Sequence, residues 1–414
     1  MKIFFPPQPG AGRAGSTLRI FIPFAFGYFL SYIFRVVNAV IAPDLVTDLN
    51  LDPSELGLLT ATYFIAFASS QLPLGILLDR FGPRKVESFL LLFAGAGAII
   101  FAVSHTLTGV IIGRAFIGFG VSACLMAAFK SYVIWFPGNI LPRINGFQMA
   151  AGGVGALAAT TPVAWALHFT DWRGLFWALA LFSFASALAV FLMVPEHEKK
   201  TEPEKITSQI TGMLQIFKSP AFWRIAPLTT LSQSGYIALQ GLWAGPWLTD
   251  VANVPQARVA TILSWSALAM ITGFISLGFL AEKLAQRGVA VLTTAVTGMA
   301  IFIGVQAMIT FAVPLPAPLI LVLFGFFGTS GILSYTALTL GFPKSLSGRV
   351  TTSINMMVFV AAFCVQWAIG AIINCWEVTA PGHYDPAGYR AGFLAILCCQ
   401  VAALAWFWIA SLKK

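Results

Sequence analysis

The chain has 414 residues, 58% of them hydrophobic and only 9% charged, with a mean hydropathy of +0.85. This apolar share far exceeds that of an ordinary soluble domain and excludes the two or three soluble domains that length alone suggests. The net charge of +9 does not call for nucleic acid, because basic loops facing an anionic leaflet account for it.

Twelve apolar runs follow one another along the chain: 19–42, 55–78, 86–104, 107–129, 144–167, 174–194, 222–248, 259–280, 289–312, 317–340, 350–375 and 391–411. About 20 residues suffice to cross a bilayer, and Gly and Pro are tolerated inside such helices. The start, "MKIFFPPQPGAGRAGSTLRI", is too interrupted by Pro and Gly for a signal peptide, so the N-terminus is expected in the cytoplasm. With that orientation, all 24 Lys and Arg fall on the cytoplasmic side except Arg173, Arg258 and Arg390 outside and Arg35 and Arg114 within the membrane. The expected product is an all-α, multi-pass protein of the cell inner membrane with both termini inside. The five Cys lie in or beside apolar helices without metal spacing, and all four His fall in loops, so no metal site is expected. No cofactor and no enzyme active site is read either, for want of a nucleophile–base pair or a phosphate-binding glycine loop.

The second run ends in "GILLDRFGPRK", Gly75 to Lys85, and related segments recur later. Gly75–Arg80 returns as "GFLAEK" at Gly278–Lys283, and "APDL" at 42–45 returns as "GPWL" at 245–248, both 203 residues on. "FPGNILPR" ending at Arg143 returns as "FPKSLSGR" ending at Arg349. Two six-helix halves, 1–194 and 222–414, joined by a cytoplasmic linker at 195–221, are the natural reading. With "GxxxDRxGxRK" between helices 2 and 3, the whole chain resembles the major facilitator superfamily, which implies two halves related by a pseudo-twofold axis. The resemblance also implies that Gly75, Asp79, Arg80, Gly82, Arg84 and Lys85 form a cytoplasmic latch that closes when the carrier is open outward. Gly75 permits close helix approach, and Asp79 can meet the positive N-terminus of a helix from the other half. A plain topology anchor is the simpler alternative.

A carrier of this kind needs polar groups at mid-depth between its halves, where they are costly unless used. In helix 1, Tyr28, Tyr32 and Arg35 fall within about 60° of one another at 100° per residue. In helix 7, Gln233, Tyr236, Gln240, Trp243 and Trp247 recur at intervals of three and four. Packing between helices is the competing reading, preferred for Trp247. Arg114 lies in "GRAFIGFG", which resembles the family's helix 4 motif associated with proton coupling; a structural arginine held by backbone carbonyls is equally open. Lys130 can snorkel to headgroups or assist the inner vestibule.

No Asp or Glu is read in the interior of any of the twelve segments, so Arg35 has no counter-ion at its depth and no proton-carrying carboxylate is evident. A cation without a counter-ion favours an anionic solute. Helix 1 most resembles the organic-anion branches, the organophosphate:phosphate antiporters and anion:cation symporters, whose two tyrosines and arginine map onto Tyr28, Tyr32 and Arg35. The phosphate carriers' helix 2 lysine and helix 7 arginine correspond to Gln71 and Ala238, and one deep arginine suits a carboxylate-bearing monoanion better than a phosphate dianion. The expected function is therefore alternating-access transport of a small organic anion by a monomer in the bilayer, coupled to protons or to a counter-anion. Proton-coupled efflux of drug-like or siderophore-type compounds is the alternative, and a signalling protein on a transport fold is a third.

Overall fold

Proline and glycine punctuate the chain, and a computed structural model shows where each break falls. It describes residues 14–136, 141–196, 211, 214–342, 346–380 and 383–412. The side chain of Asp79, most of the 195–221 linker and residues 413–414 lie outside the described part.

The first half runs α1 (Ala14–Val36), α2 (Asn38–Leu49), α3 (Pro53–Val103), α4 (Leu107–Gly120), α5 (Cys124–Trp135), α6 (Leu141–Ala158), α7 (Thr161–Ala166) and α8 (Trp172–Met193). The second runs α9 (Pro220–Ala238), a π-helical turn (Leu239–Trp243), α10 (Ala244–Asp250), α11 (Gln256–Gln286), α12 (Val291–Thr310) and α13 (Ala317–Gly328). A 3₁₀ turn (Thr329–Gly331), α14 (Ile332–Leu340), α15 (Ser347–Ile373) and α16 (Pro386–Leu412) complete it. Every expected apolar run falls on helix, and among the described residues ten helices are long and apolar enough to cross a membrane. The runs at 55–78 and 222–248 are helical but are not among the ten. A short antiparallel pair that the apolar pattern does not announce, β1 (Val378–Ala380) and β2 (His383–Tyr384), precedes α16.

The second and third runs are one element, α3, interrupted only at Gly82, whose φ of 78° lies in the left-handed region that glycine adopts freely. Helix 3 therefore begins beside Gly82, and Glu87 stands inside it, fully buried. This corrects the expectation of an acid-free membrane interior: a helix begun at 86 puts Glu87 at an edge, whereas one begun at Pro83 puts it a turn inside.

Acids at the opposite ends of the helices serve as caps. Asp52 and Glu55 form a reciprocal capping box at the start of α3, and Asp171 accepts from the Gly174 N–H at 2.7 Å to start α8. Asp48 accepts from the Trp172 indole and the Arg173 guanidinium, both at 2.8 Å. These contacts mark a far face, as distinct from the basic face that carries Arg80, Arg84 and Lys85.

The halves meet along the far face through small residues. A Cβ on Gly245 would stand 2.2 Å from the Ala39 carbonyl, and one on Gly370 would stand 2.2 Å from that of Pro53. Hydrogen bonds reinforce the closure: Ser264 Oγ lies 2.7 and 2.6 Å from the hydroxyls of Thr160 and Thr161, and the Trp367 indole donates to Ser54 Oγ at 3.2 Å.

Candidate functional site

The guanidinium in the last turn of α1 is surrounded by rings. Its central carbon lies 4.6 Å from the centre of the Tyr32 ring, 5.2 Å from Phe359 and 5.8 Å from Phe67. Phe359, on α15, stacks on Phe67, on α3, at 4.3 Å, so the aromatic bed is built from both halves. Such contacts contribute about 0.5–2 kcal/mol each and suit the planar, weakly hydrated guanidinium, yet they leave its charge uncancelled. Arg35 Nε is buried without a hydrogen-bond partner, and among the described residues no carboxylate pairs with Arg35.

Tyr28 and Tyr32 meet edge to face at 5.1 Å. Gly152 of α6 makes that possible, since a Cβ there would fall 2.5–2.7 Å from both rings. The second half approaches through the π turn, where a Cβ on Gly241 would reach the Arg35 carbonyl at 3.4 Å. Tyr236 and Tyr335 interact electrostatically with Tyr32, and Tyr335 also with Arg35. The Tyr236 hydroxyl is buried and unpartnered, while Gln240 Nε2 donates to Met270 Sδ at 3.2 Å. Gln71, buried on α3, accepts from Asn355 of α15 at 3.4 Å. Arg35, Gln240, Tyr335 and Asn355 are only half-buried despite their place between the halves, so the cluster is not sealed.

The structure thus gathers Tyr28, Tyr32, Arg35, Gln71, Tyr236 and Gln240 and adds Phe67, Phe359, Tyr335 and Asn355, which the reading of helices 1 and 7 missed. Tyr335 and Asn355 carry the signal used for the others, a polar group inside an apolar run. Trp243 belongs elsewhere: its indole donates to the Gln366 carbonyl at 3.1 Å and its ring packs beside Gly57 and Gly370 in the far-face closure. Gln233 donates to the Gly328 carbonyl at 2.9 Å. Lys130 is half-buried towards the basic end of α5.

Arg114 is fully buried and donates to the Phe34 carbonyl at 2.8 Å, with its guanidinium 5.3 Å from the Tyr63 ring. That carbonyl precedes Arg35 by one residue, so Arg114 holds the α1–α2 break that presents Arg35. That carbonyl meets one nitrogen of the guanidinium, while Nε and the second terminal nitrogen are buried without a partner.

On the basic face, Glu196 pairs with Lys85 and, at 3.7 Å, with Arg84. The Lys85 ammonium holds the Glu196 carboxyl below the usual carboxylate range. Glu196 opens the linker that follows the first half, so neither pair reaches the second half. Arg80 is exposed and lies over the ring of Phe81 at 5.2 Å. In the second copy of the motif, a Cβ on Gly278 would meet nothing within 4 Å, so it lacks a close approach.

Comparison with known proteins agrees with this architecture. The profile of the Major Facilitator Superfamily matches residues 24–365. The probable sulfoacetate transporter of Cupriavidus necator is 22% identical over 380 residues, 86% of each chain. The hexuronate transporter of Escherichia coli K12 is 26% identical over 220 residues, covering 48% of this chain and 50% of its own. Among solved structures, a bacterial homologue of the human lysosomal transporter Spinster superposes with a TM-score of 0.77 at 17% identity, covering 97% of this chain and 98% of its own.

Proposed function

Because the chain belongs to the Major Facilitator Superfamily, we propose that it is a secondary carrier of a small carboxylate-bearing organic anion, with Arg35 as the anion's anchor. The observation that carries this reading is a membrane-embedded guanidinium without a counter-ion, held by aromatic rings at the meeting of the two halves. A guanidinium at such depth costs about 2.5–3.5 kcal/mol on insertion scales, a cost that an anionic solute paired with it offsets. Its planar fork matches a carboxylate with two charge-assisted hydrogen bonds. Tyr28, Tyr32, Tyr236 and Gln240 supply hydroxyl and amide groups for the rest of the solute. Sulfoacetate and hexuronate, the solutes named for two relatives, are carboxylates, which supports the class without fixing the compound.

The halves 1–194 and 222–414 rock about this site. The concentration of Lys and Arg on the basic face puts that face in the cytoplasm, so a closed far face corresponds to the inward-open form. The pairing of Arg84 and Lys85 with Glu196 rather than with the second half is what an undone latch requires. In proteoliposomes offered labelled glucuronate, sulfoacetate and galactonate, wild-type protein should take up at least one. Arg35→Ala should abolish that uptake with insertion intact, and Arg35→Lys should retain little. Normal uptake by Arg35→Ala would overturn the assignment.

A further inference from the structure

Glu87 is the one acidic residue, among those described, that is buried inside a membrane-crossing helix. Neither of its carboxyl oxygens has a hydrogen-bond partner. It is walled in by three helices of the first half. A Cβ on Gly27 of α1 would stand 2.5 Å from Glu87 Oε1, and the same point lies 3.5 Å from Ser186 Oγ of α8 and 3.7 Å from Cys124 Sγ of α5. The Ser186 hydroxyl is itself unpartnered. The titratable groups facing Glu87 are the Cys124 thiol and the Tyr132 hydroxyl, both on α5, and Tyr132 is committed to Gln148 Oε1 at 2.7 Å. α1 and α8 present no charged or titratable group to it. Arg84 and Lys85, its nearest neighbours in sequence with charge, turn to Glu196.

An ionised carboxylate in such a place would have no counter-ion and, for donors, only the weak Cys124 thiol and the neighbouring Ser186 hydroxyl, so this packing accommodates the neutral acid. Ionisation needs water, and a withdrawal of α1 at Gly27, the helix seated against Glu87 Oε1, admits it. Because α1 also carries Tyr28, Tyr32 and Arg35, the proton on Glu87 and the posture of the anion-binding helix are tied together. Resting on the reading of the chain as an anion carrier, we propose that Glu87 is the proton-binding site that couples solute movement to the proton gradient. The proton is taken up by the carboxylate on one side of the membrane and released from the acid on the other. Electrons and covalent bonds other than O–H are untouched, and one proton moving with one monoanion makes the cycle electroneutral.

Two measurements test this with full-length protein. The first needs no solute: infrared difference spectra of purified wild type and Glu87→Gln at neutral pH should differ by a protonated-carboxyl C=O band present only in wild type. Its absence would mean that Glu87 is ionised there, and the proposal fails. The second uses proteoliposomes and labelled glucuronate. Glu87→Gln should lose accumulation driven by an inward acid gradient at least tenfold, keep solute counterflow, and melt near the wild-type temperature. Gradient-driven accumulation at the wild-type level, or equal loss of counterflow, would also overturn it. Should wild type show counterflow of no organic anion, the carrier reading is what fails, and the infrared result still decides whether Glu87 holds the proton.

Discussion

The helices that open the two halves share a shape and differ in chemistry. α1–α2 breaks at Val37 ahead of Pro43, and α9–α10 breaks over Leu239–Trp243 ahead of Pro246, equivalent places at the repeat interval of 203 residues. The fourth helix of each half breaks likewise, after Gly120 and at Thr329–Gly331. Arg35, however, is answered in the second half by Ala238, and the buried acid Glu87 by Ala290. Bending is common to both halves, as the proposed rocking of one against the other requires. Both intramembrane arginines, Arg35 and Arg114, and the buried acid stand in the first half, so the two halves share their bends and not their charges.

The sharpest way to break this pairing is at its closest point. Gly245→Leu would drive a side chain into the Ala39 carbonyl and part α10 from α2. Thiol labelling of a cysteine placed at Val46, which is buried along an outer cleft of about 380 Å³, should then rise more than tenfold. Unchanged labelling in a folded protein would show that this contact does not hold the far face closed. A smaller effect is expected from Phe359→Ala, which removes the second half's ring from Arg35. The cation–π contribution of about 0.5–2 kcal/mol corresponds to a roughly 2- to 30-fold loss of anion affinity by titration calorimetry. Tyr236→Phe removes one hydroxyl; if that group meets the solute, affinity should fall about 2- to 10-fold, the worth of a neutral hydrogen bond. Wild-type affinity in this variant would confine Tyr236 to packing.

The smallest effect concerns the far-face acid of α2. The Trp172 indole, and then Arg173, hold the Asp48 carboxyl below the usual range. A lowered folded value contributes stability above the unfolded value near 3.9, and that contribution disappears as pH falls through the folded value. Asp48→Asn should therefore lower the melting temperature slightly at neutral pH, by less than about 1 kcal/mol for so exposed a pair, and not at all in strong acid. A loss equal at both pH values would assign the effect to packing.

Much of this was legible in the residues. Hydropathy placed its apolar runs on helix among the described residues, because the bilayer imposes length and apolarity on each crossing. The 203-residue repeat suggested two halves, and helical periodicity put Tyr28, Tyr32 and Arg35 on one face. What the chain order could not supply was partnership between distant helices. Nothing about Phe359 or Asn355 in isolation says that α15 closes over Arg35. The same gap misjudged Trp243, which shares a face with Gln240 yet binds the Gln366 carbonyl in the closure. Glu87 was obscured differently: the charged stretch before it reads as a loop, and only the turn at Gly82 shows that helix has already resumed.

The central claim is that one guanidinium in one half binds the solute's anionic group. Thermal unfolding of purified wild type and Arg35→Ala, each with and without a panel of carboxylates, tests it most directly. A ligand at about 100 times its Kd stabilises the folded state by about 2.7 kcal/mol. The account predicts that at least one carboxylate raises the wild-type melting temperature in a concentration-dependent way and leaves Arg35→Ala unmoved. An equal rise in Arg35→Ala would contradict it.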